Sequence, residues 1–267
     1  MAQTQQASVY SQLSKKNQFA HGQSMLEKLM QFPAEEKLKI LDIGCGTGDL
    51  AKLLADKFQN STIHACDPSS ERISFAMENN AAPQISYFIN DATSFLSSKQ
   101  DEYDVIYSNY VLHWIKDKES LFCGIKKALK LEGISFHWTM YKDIEDTFFV
   151  HLLNPAEVKN LRLSLPMVPE QELKRLASEA GLLTYYFDSH IGGWNDWTLD
   201  QYLDMLESLK DIIGVSIKDK FHQYPNKEFL KNKMALTDEG HVSYERTYIC
   251  FAMKKQNVAI ERLATNE

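Results

Sequence analysis

The chain alternates between two kinds of hydrophobic pattern. Short apolar runs end in Gly or Asp, and stretches of helical periodicity follow them. Residues 8–32 read as helical, with Leu26, Leu29 and Met30 on one face and Pro33 closing the segment. Lys37 to Ile43 reads as a strand, Gly44 to Gly48 as a tight loop, and Asp49 to Phe58 as a helix with Leu50, Leu53, Leu54 and Phe58 on one side. The cycle repeats through a strand at Ser61 to Cys66, a helix at Ser69 to Asn79 behind Pro68 and a Ser cap, and a strand at Ile85 to Ile89. A fourth strand at Tyr103 to Ser108, a long helix from Lys118 to Leu131 and a fifth strand at Ile134 to Trp138 complete this half.

Beyond Tyr141 the rhythm changes. Glu170 to Ala180 reads as a helix ending at Gly181, and Leu182 to His190 and Val242 to Met253 read as strands. Between them Leu199 to Leu209, Ile217 to His222 and Glu228 to Met234 read as short helices. The predicted division is an N-terminal helical lid at 1–34, an α/β core at 35–197 and 237–255, a helical cap at 198–236 and a tail at 256–267. Strand–helix alternation predicts a parallel sheet covered on both faces, with its ligand site at the carboxyl ends of the strands.

Those strand ends hold the chemistry. The run Ile40-Leu41-Asp42-Ile43-Gly44-Cys45-Gly46-Thr47-Gly48 leads a strand into glycines and then a helix. Glycines let the backbone turn tightly and let a ligand approach it. Asp49 stands where a dinucleotide's pyrophosphate would meet the helix N-terminus, so the loop suits a nucleoside without phosphates and disfavours a nicotinamide oxidoreductase. Asp67 is placed to accept from both hydroxyls of a ribose, Asp91 from an adenine amino group, and Asp42 to face a ligand ammonium.

Composition narrows the field. The chain has 267 residues, 44% of them hydrophobic, and a net charge of −7, which argues against a duplex nucleic-acid partner. No apolar run reaches the ~18–20 residues of a membrane span, and the N-terminus lacks the apolar stretch of a signal peptide, so a cytoplasmic protein with no membrane partner is expected. Cys45, Cys66, Cys123 and Cys250 are scattered, and no His or acid pairs have ligand spacing, so neither a disulfide framework nor a metal is expected.

The LDIGCGTG loop, the acid in ACDPS, the NDA segment and the YDVIYSN strand resemble the ordered motifs of the class I S-adenosylmethionine-dependent methyltransferases, over roughly residues 35–140. The resemblance implies a Rossmann-like seven-stranded sheet whose antiparallel strand is Val242 to Met253. It implies cofactor contacts from Asp42, Gly44, Cys45, Gly46, Gly48, Asp67, Asp91, Ala92 and Asn109. S-adenosyl-L-homocysteine would be the product of the cofactor.

Tyr10, Asn17-Gln18, the LHWIKD stretch and Asn226 to Leu230 further resemble the juvenile hormone acid and trans-aconitate methyltransferases. That resemblance implies an acceptor carboxylate held by Gln18 and Trp114, with Tyr10 and Tyr110 also at the substrate. An amide and an indole N–H are neutral donors that can orient a carboxylate, which needs no general base at neutral pH. The leading expectation is therefore methyl ester formation on a small, lipophilic acid, the lipophilic part suggested by the aromatic-rich cap. The alternatives are N- or O-methylation of another small metabolite with a histidine base, His113 before His21 or His137, and a catalytically silent cofactor-binding protein. A monomer or homodimer fits either.

Overall fold

In a computed structural model, the structure describes residues 18–29, 37–143, 147–194, 197–207, 210, 214–234, 236, 237, 239–242 and 244–255. A helix, α1 (Ala20–Leu29), precedes β1 (Lys39–Ile43), α2 (Asp49–Lys57), β2 (Thr62–Asp67), α3 (Ser70–Asn79), β3 (Ile85–Ile89), α4 (Ala92–Ser97) and β4 (Tyr103–Asn109). A 3-10 turn at Leu112–Trp114 leads to α5 (Lys118–Ala128) and β5 (Leu129–Tyr141). A second 3-10 turn at Phe148–His151 is followed by α6 (Pro155–Ser164), α7 (Glu170–Glu179) and β6 (Leu182–Trp194). The described residues close with α8 (Leu199–Glu207), α9 (Ile217–Gln223), α10 (Lys227–Lys233) and β7 (Tyr244–Lys255).

The seven strands form one sheet in the order β3-β2-β1-β4-β5-β7-β6. β7 runs antiparallel to both its neighbours, β5 and β6, as the family resemblance implied. β1 and β4 sit in the middle and are buried almost throughout, which is why Ile40-Leu41 and Val105-Ile106-Tyr107 stand as consecutive apolar residues in place of a strict alternation. β3, at one edge, is only half-buried.

Helix ends follow local chemistry. Ser69, Asp91 and Asp117 each accept a backbone N–H as the N-caps of α3, α4 and α5. Asn154 and Glu157 form a capping box at α6 with Pro155 at its start, and Gly181 leaves α7 with φ +72°.

Three expectations shift. The helix expected to reach Leu131 stops at Ala128, because the carbonyls of Lys127 and Ala128 accept from Asp101 and Glu102, and Leu129 already pairs with Tyr103. β5 is thus longer than Ile134 to Trp138, and it passes an irregularity with Glu132 at φ +66°. β6 extends beyond His190 to Trp194 by pairing with β7, and Val242 forms an isolated bridge to Leu236 ahead of β7. The helix read over 8–32 is described from Ala20 to Leu29 only; Tyr10 lies outside the described residues.

The core lies on both faces of the sheet. On one face α1 packs with Phe148, Leu161, Tyr202, Phe221 and Leu230 in a single apolar cluster. The segment 147–164 therefore packs with the cap helices: Phe148 meets the rings of Tyr202 and Phe221, and Lys220 pairs with Glu157 at 2.9 Å. These segments precede and follow β6 in the chain and pack together on this face of the sheet.

Candidate active site

A cavity of about 590 Å³ opens at the carboxyl ends of β1, β2, β3 and β4. Its floor is the glycine loop. Gly44, Gly46 and Gly48 all have left-handed φ, at 67°, 55° and 79°. The N–H groups of Gly44 and Cys45 donate to the carbonyl of Cys66 at 2.7 and 3.0 Å, which pins the loop to the end of β2. A Cβ on Gly44 would come within 2.4 Å of Val111, whereas one on Gly46 would meet nothing within 4 Å. The first glycine is thus required by packing, and the second leaves open space beside the backbone.

The three acids lie in the cavity wall, each in a different state. Asp42, on β1, is 2% exposed, and its Oδ2 has no hydrogen-bond partner among the described residues. Burial, with the nearby Asp67 adding to it, raises its carboxyl well above the ordinary range. A buried acceptor with no donor is what a cationic ligand group would complete. Asp67 accepts from the N–H of Gly46 at 3.1 Å and of Ser69 at 2.9 Å, which fixes its carboxylate beside the loop. Asp91 caps α4: it accepts from the N–H of Ser94 at 2.9 Å and the hydroxyl of Thr93 at 2.5 Å. Those bonds lower its carboxyl to about 2, so it is a pure acceptor at neutral pH. Cys45 and Ala92 also line the cavity, and burial pushes the Cys45 thiol up, away from reactivity.

The opposite wall comes from the end of β4 and the start of α1. Asn109 lines the cavity and donates from Nδ2 to the carbonyl of Gln18 at 2.9 Å, while its Oδ1 is buried with no partner among the described residues. The contact of Asn109 with Gln18 therefore involves the side chain of Asn109. Tyr110 is held at φ +60° with its N–H on the carbonyl of Trp138 at 2.7 Å. Its hydroxyl lies 2.7 Å from Nδ1 of His21, and burial keeps both groups neutral, with His21 lowered to about 4. Gln18, Tyr110 and Trp114 all face the same cavity as the acids.

His113 is not brought there. It is 2% exposed, its Nδ1 sits 3.3 Å from the hydroxyl of Thr139, and burial lowers it to about 3. The tight 3-10 turn sends Trp114 to the cavity and its neighbour His113 into the core. Among the described residues no histidine lines the cavity. The cap aromatics Trp197, Tyr202 and Phe221 are buried within the protein and do not line it either. Its apolar surface comes from Phe19, Leu50, Val111 and Ile115. Val111 and Ile115 fall in the stretch after the fourth strand where sequence reading expects the acceptor; it missed Phe19, Leu50 and Ser164, the last of which reaches the wall from α6 with no local signal to announce it. Among the described residues no group of three metal-ligating side chains exists, and no helix is long and apolar enough to cross a membrane.

A glycine loop after the first strand, acids closing the next strands and a reversed strand near the far edge define the class I methyltransferase fold. The comparisons agree. Residues 40–133 match the family described as Methyltransferase domain. Malonyl-[acyl-carrier protein] O-methyltransferase 2 of Ilyobacter polytropus is 33% identical over 225 residues, 82% of each chain. Trans-aconitate 2-methyltransferase of Variovorax paradoxus is 31% identical over 108 residues, 40% of each chain. The solved structure of Haemonchus contortus phosphoethanolamine N-methyltransferase 2 with S-adenosyl-L-methionine superposes with a TM-score of 0.59 at 16% identity, over 94% of this chain and 57% of that one, a likeness of fold. The chain belongs to the S-adenosylmethionine-dependent carboxyl O-methyltransferases.

Proposed function

We propose that the protein converts a small carboxylic acid to its methyl ester, and that the acceptor carboxylate lies between Gln18 and Trp114. The observation that supports a carboxylate most directly is the acceptor side of the cavity, where Gln18, Tyr110 and Trp114 offer neutral hydrogen-bonding groups and, among the described residues, no histidine lines the wall; His21 lies behind Tyr110, and burial lowers it to about 4. A phenol or an ammonium would have to lose a proton first, whereas a carboxylate is already a nucleophile at pH 7. The names of the Ilyobacter and Variovorax relatives, a malonyl thioester and a tricarboxylate methyltransferase, support the same acceptor chemistry.

S-adenosylmethionine, when bound, supplies an electrophilic methyl group on a sulfonium. In this reading the glycine loop and Asn109 hold its amino acid end, the orphaned oxygen of Asp42 meets its ammonium, Asp67 accepts from the ribose, and Asp91 and Ala92 border the adenine. Trp114 and Gln18 donate to one carboxylate oxygen and leave the other free to attack. Neutral donors hold an anion without the tight ion pair that would blunt its nucleophilicity. Phe19, Leu50, Val111 and Ile115 keep water from the path and accommodate the apolar part of a small acid.

The test uses S-adenosylmethionine with a labelled methyl group and a panel of trans-aconitate, a malonyl thioester, a medium-chain fatty acid, an amine and a phenol. A labelled product that mild base hydrolyses supports the proposal. A base-stable product on the amine or phenol overturns it.

A further inference from the structure

Lys118 breaks two local rules. It is the first residue of α5, where a cation opposes the helix dipole, and it is only 6% exposed. Among the described residues no carboxylate pairs with its ammonium in a salt bridge. Instead Nζ donates to two backbone carbonyls. One is Ile115, at 2.7 Å, directly after the 3-10 turn that carries Trp114. The other is Pro166, 48 residues along the chain, two positions beyond the end of α6.

Those carbonyls belong to two pieces of the same wall. Trp114, Ile115, Lys116 and Asp117 line the cavity, and so does Ser164 at the end of α6. The two segments come from different parts of the sequence, and Lys118 ties them together. A residue kept against both the dipole and burial has a local cost that the rest of the site must offset.

We infer that Lys118 is a positioning residue: its ammonium straps the Trp114 turn to the segment after α6 and so sets the acceptor wall of the cavity. The inference rests on the proposed contact of Trp114 with the acceptor. It does not touch the cofactor side, where Asp42 and Asp67 lie on β1 and β2 and Asp91 caps α4.

The surroundings leave the ammonium electrostatically isolated. On its own helix Glu119 is exposed, and Asp117 is turned to the N–H of Ser120. On the 3-10 turn His113 is neutral at physiological pH. From α6 to α7 the run Ser164 to Pro169 contains no ionisable side chain, and Glu170 pairs with Lys174. Burial lowers the ammonium from its ordinary value to about 8. Losing the proton weakens both bonds, since an amine is a poorer donor than an ammonium.

Two readouts test this on the full chain, the first with S-adenosylhomocysteine bound and the second with S-adenosylmethionine as the methyl donor. The first is backbone hydrogen exchange, with each rate divided by that of an unstructured peptide at the same pH. The N–H groups of Trp114, Ile115 and Met167 bond locally within the two strapped segments and report on them. In the wild type their protection should fall as pH rises through 8, and in Lys118→Met it should be low at every pH. Lys118→Arg, which does not titrate in this range, should keep protection throughout. The second is methyl transfer to the malonyl thioester. Lys118→Met should lower kcat/KM for the acceptor by about tenfold to a hundredfold, the scale of a ~1 Å misplacement, and leave S-adenosylhomocysteine affinity unchanged.

Protection of these amides in Lys118→Met that equals the wild type at pH 7 overturns the inference, and Lys118→Arg provides the folded control. So does a Lys118→Arg chain that still loses protection there. Exchange that behaves as expected while the acceptor rate is unaffected keeps the strap but overturns its role at the acceptor wall. Failure of the malonyl thioester to react with the wild type is a failure of the proposed substrate, and the exchange arm then decides the strap alone.

Discussion

Asp42 makes the sharpest claim at the scale of one residue. Its carboxyl is raised well above 3.8 in the free protein by burial and by Asp67. A ligand ammonium beside Oδ2 favours the ionised form, so binding lowers that pKa. Below the free-state pKa, binding must expel a proton, and cofactor affinity should rise with pH until that pKa is passed. Titration calorimetry in buffers of different ionisation enthalpy should show proton release for the wild type and none for Asp42→Asn. The same substitution should weaken S-adenosylmethionine by about tenfold to a hundredfold, from about 1.5–3 kcal/mol for a charged hydrogen bond. A wild-type enthalpy that ignores the buffer throughout the acid range would remove Asp42 from the ammonium site.

The acceptor donors separate from it kinetically. Gln18→Ala and Trp114→Phe should each lower kcat/KM for the acid by a similar factor, about tenfold to a hundredfold, with S-adenosylhomocysteine affinity retained. Equal loss of cofactor affinity would place them on the wrong side of the cavity. Gln18 and Trp114 were legible because each stands in a recognisable short pattern. Lys118 was not: its meaning lies in a carbonyl 48 residues away, and an isolated lysine at a helix start reads only as a surface charge.

At the scale of elements, the glycine loop shows how one motif divides its labour. Gly44 and Gly46 have similar φ, so alanine strains both backbones by about 1–2 kcal/mol. Only at Gly44 does the added methyl also strike Val111, at 2.4 Å. Gly44→Ala should therefore lower the melting temperature clearly more than Gly46→Ala. Gly46→Ala should instead show its main effect on cofactor affinity, because its methyl points into open space beside the cavity floor. Thermal melts with and without S-adenosylhomocysteine check both, and equal melting temperatures for the two variants would contradict the division. The strands and glycine turns of the first half were readable because burial on both sides of a parallel sheet leaves continuous apolar runs. The end of α5 was not, since Lys130 and Leu131 continue a helical pattern and only pairing of Leu129 with Tyr103 stops it. α4 and α6 were missed for related reasons. α4 has six residues, too few to show a period, and α6 buries only Leu161 on a largely polar surface.

At the scale of the whole molecule, the buried histidines couple stability to pH. His113 and His137 are both fully buried, and burial lowers each from 6.5 to about 3. His137 lies on β5, stacked at 5.0 Å on Phe251 of β7, and neither of its ring nitrogens has a partner among the described residues. The folded state therefore holds both rings neutral while the unfolded chain lets them protonate. Between pH 6.5 and about 3 the unfolded state binds more protons, so stability is complete above 6.5 and falls as pH drops through that window. Each ring should cost about 2 kcal/mol by pH 5. His21, lowered to about 4 and less deeply buried, adds to the slope in the same direction. Denaturant midpoints between pH 5 and 7.5 should fall steadily toward the acid end. His137→Phe keeps an aromatic ring against Phe251 and has no proton to take up, so its acid slope should be shallower by one site. With S-adenosylmethionine saturating, so that protonation of Asp42 does not limit the rate, ester formation, which needs no base, should follow only this loss of folded protein. A rate that drops near pH 6.5 while the protein remains folded would bring a histidine back into the chemistry and count against a carboxylate acceptor.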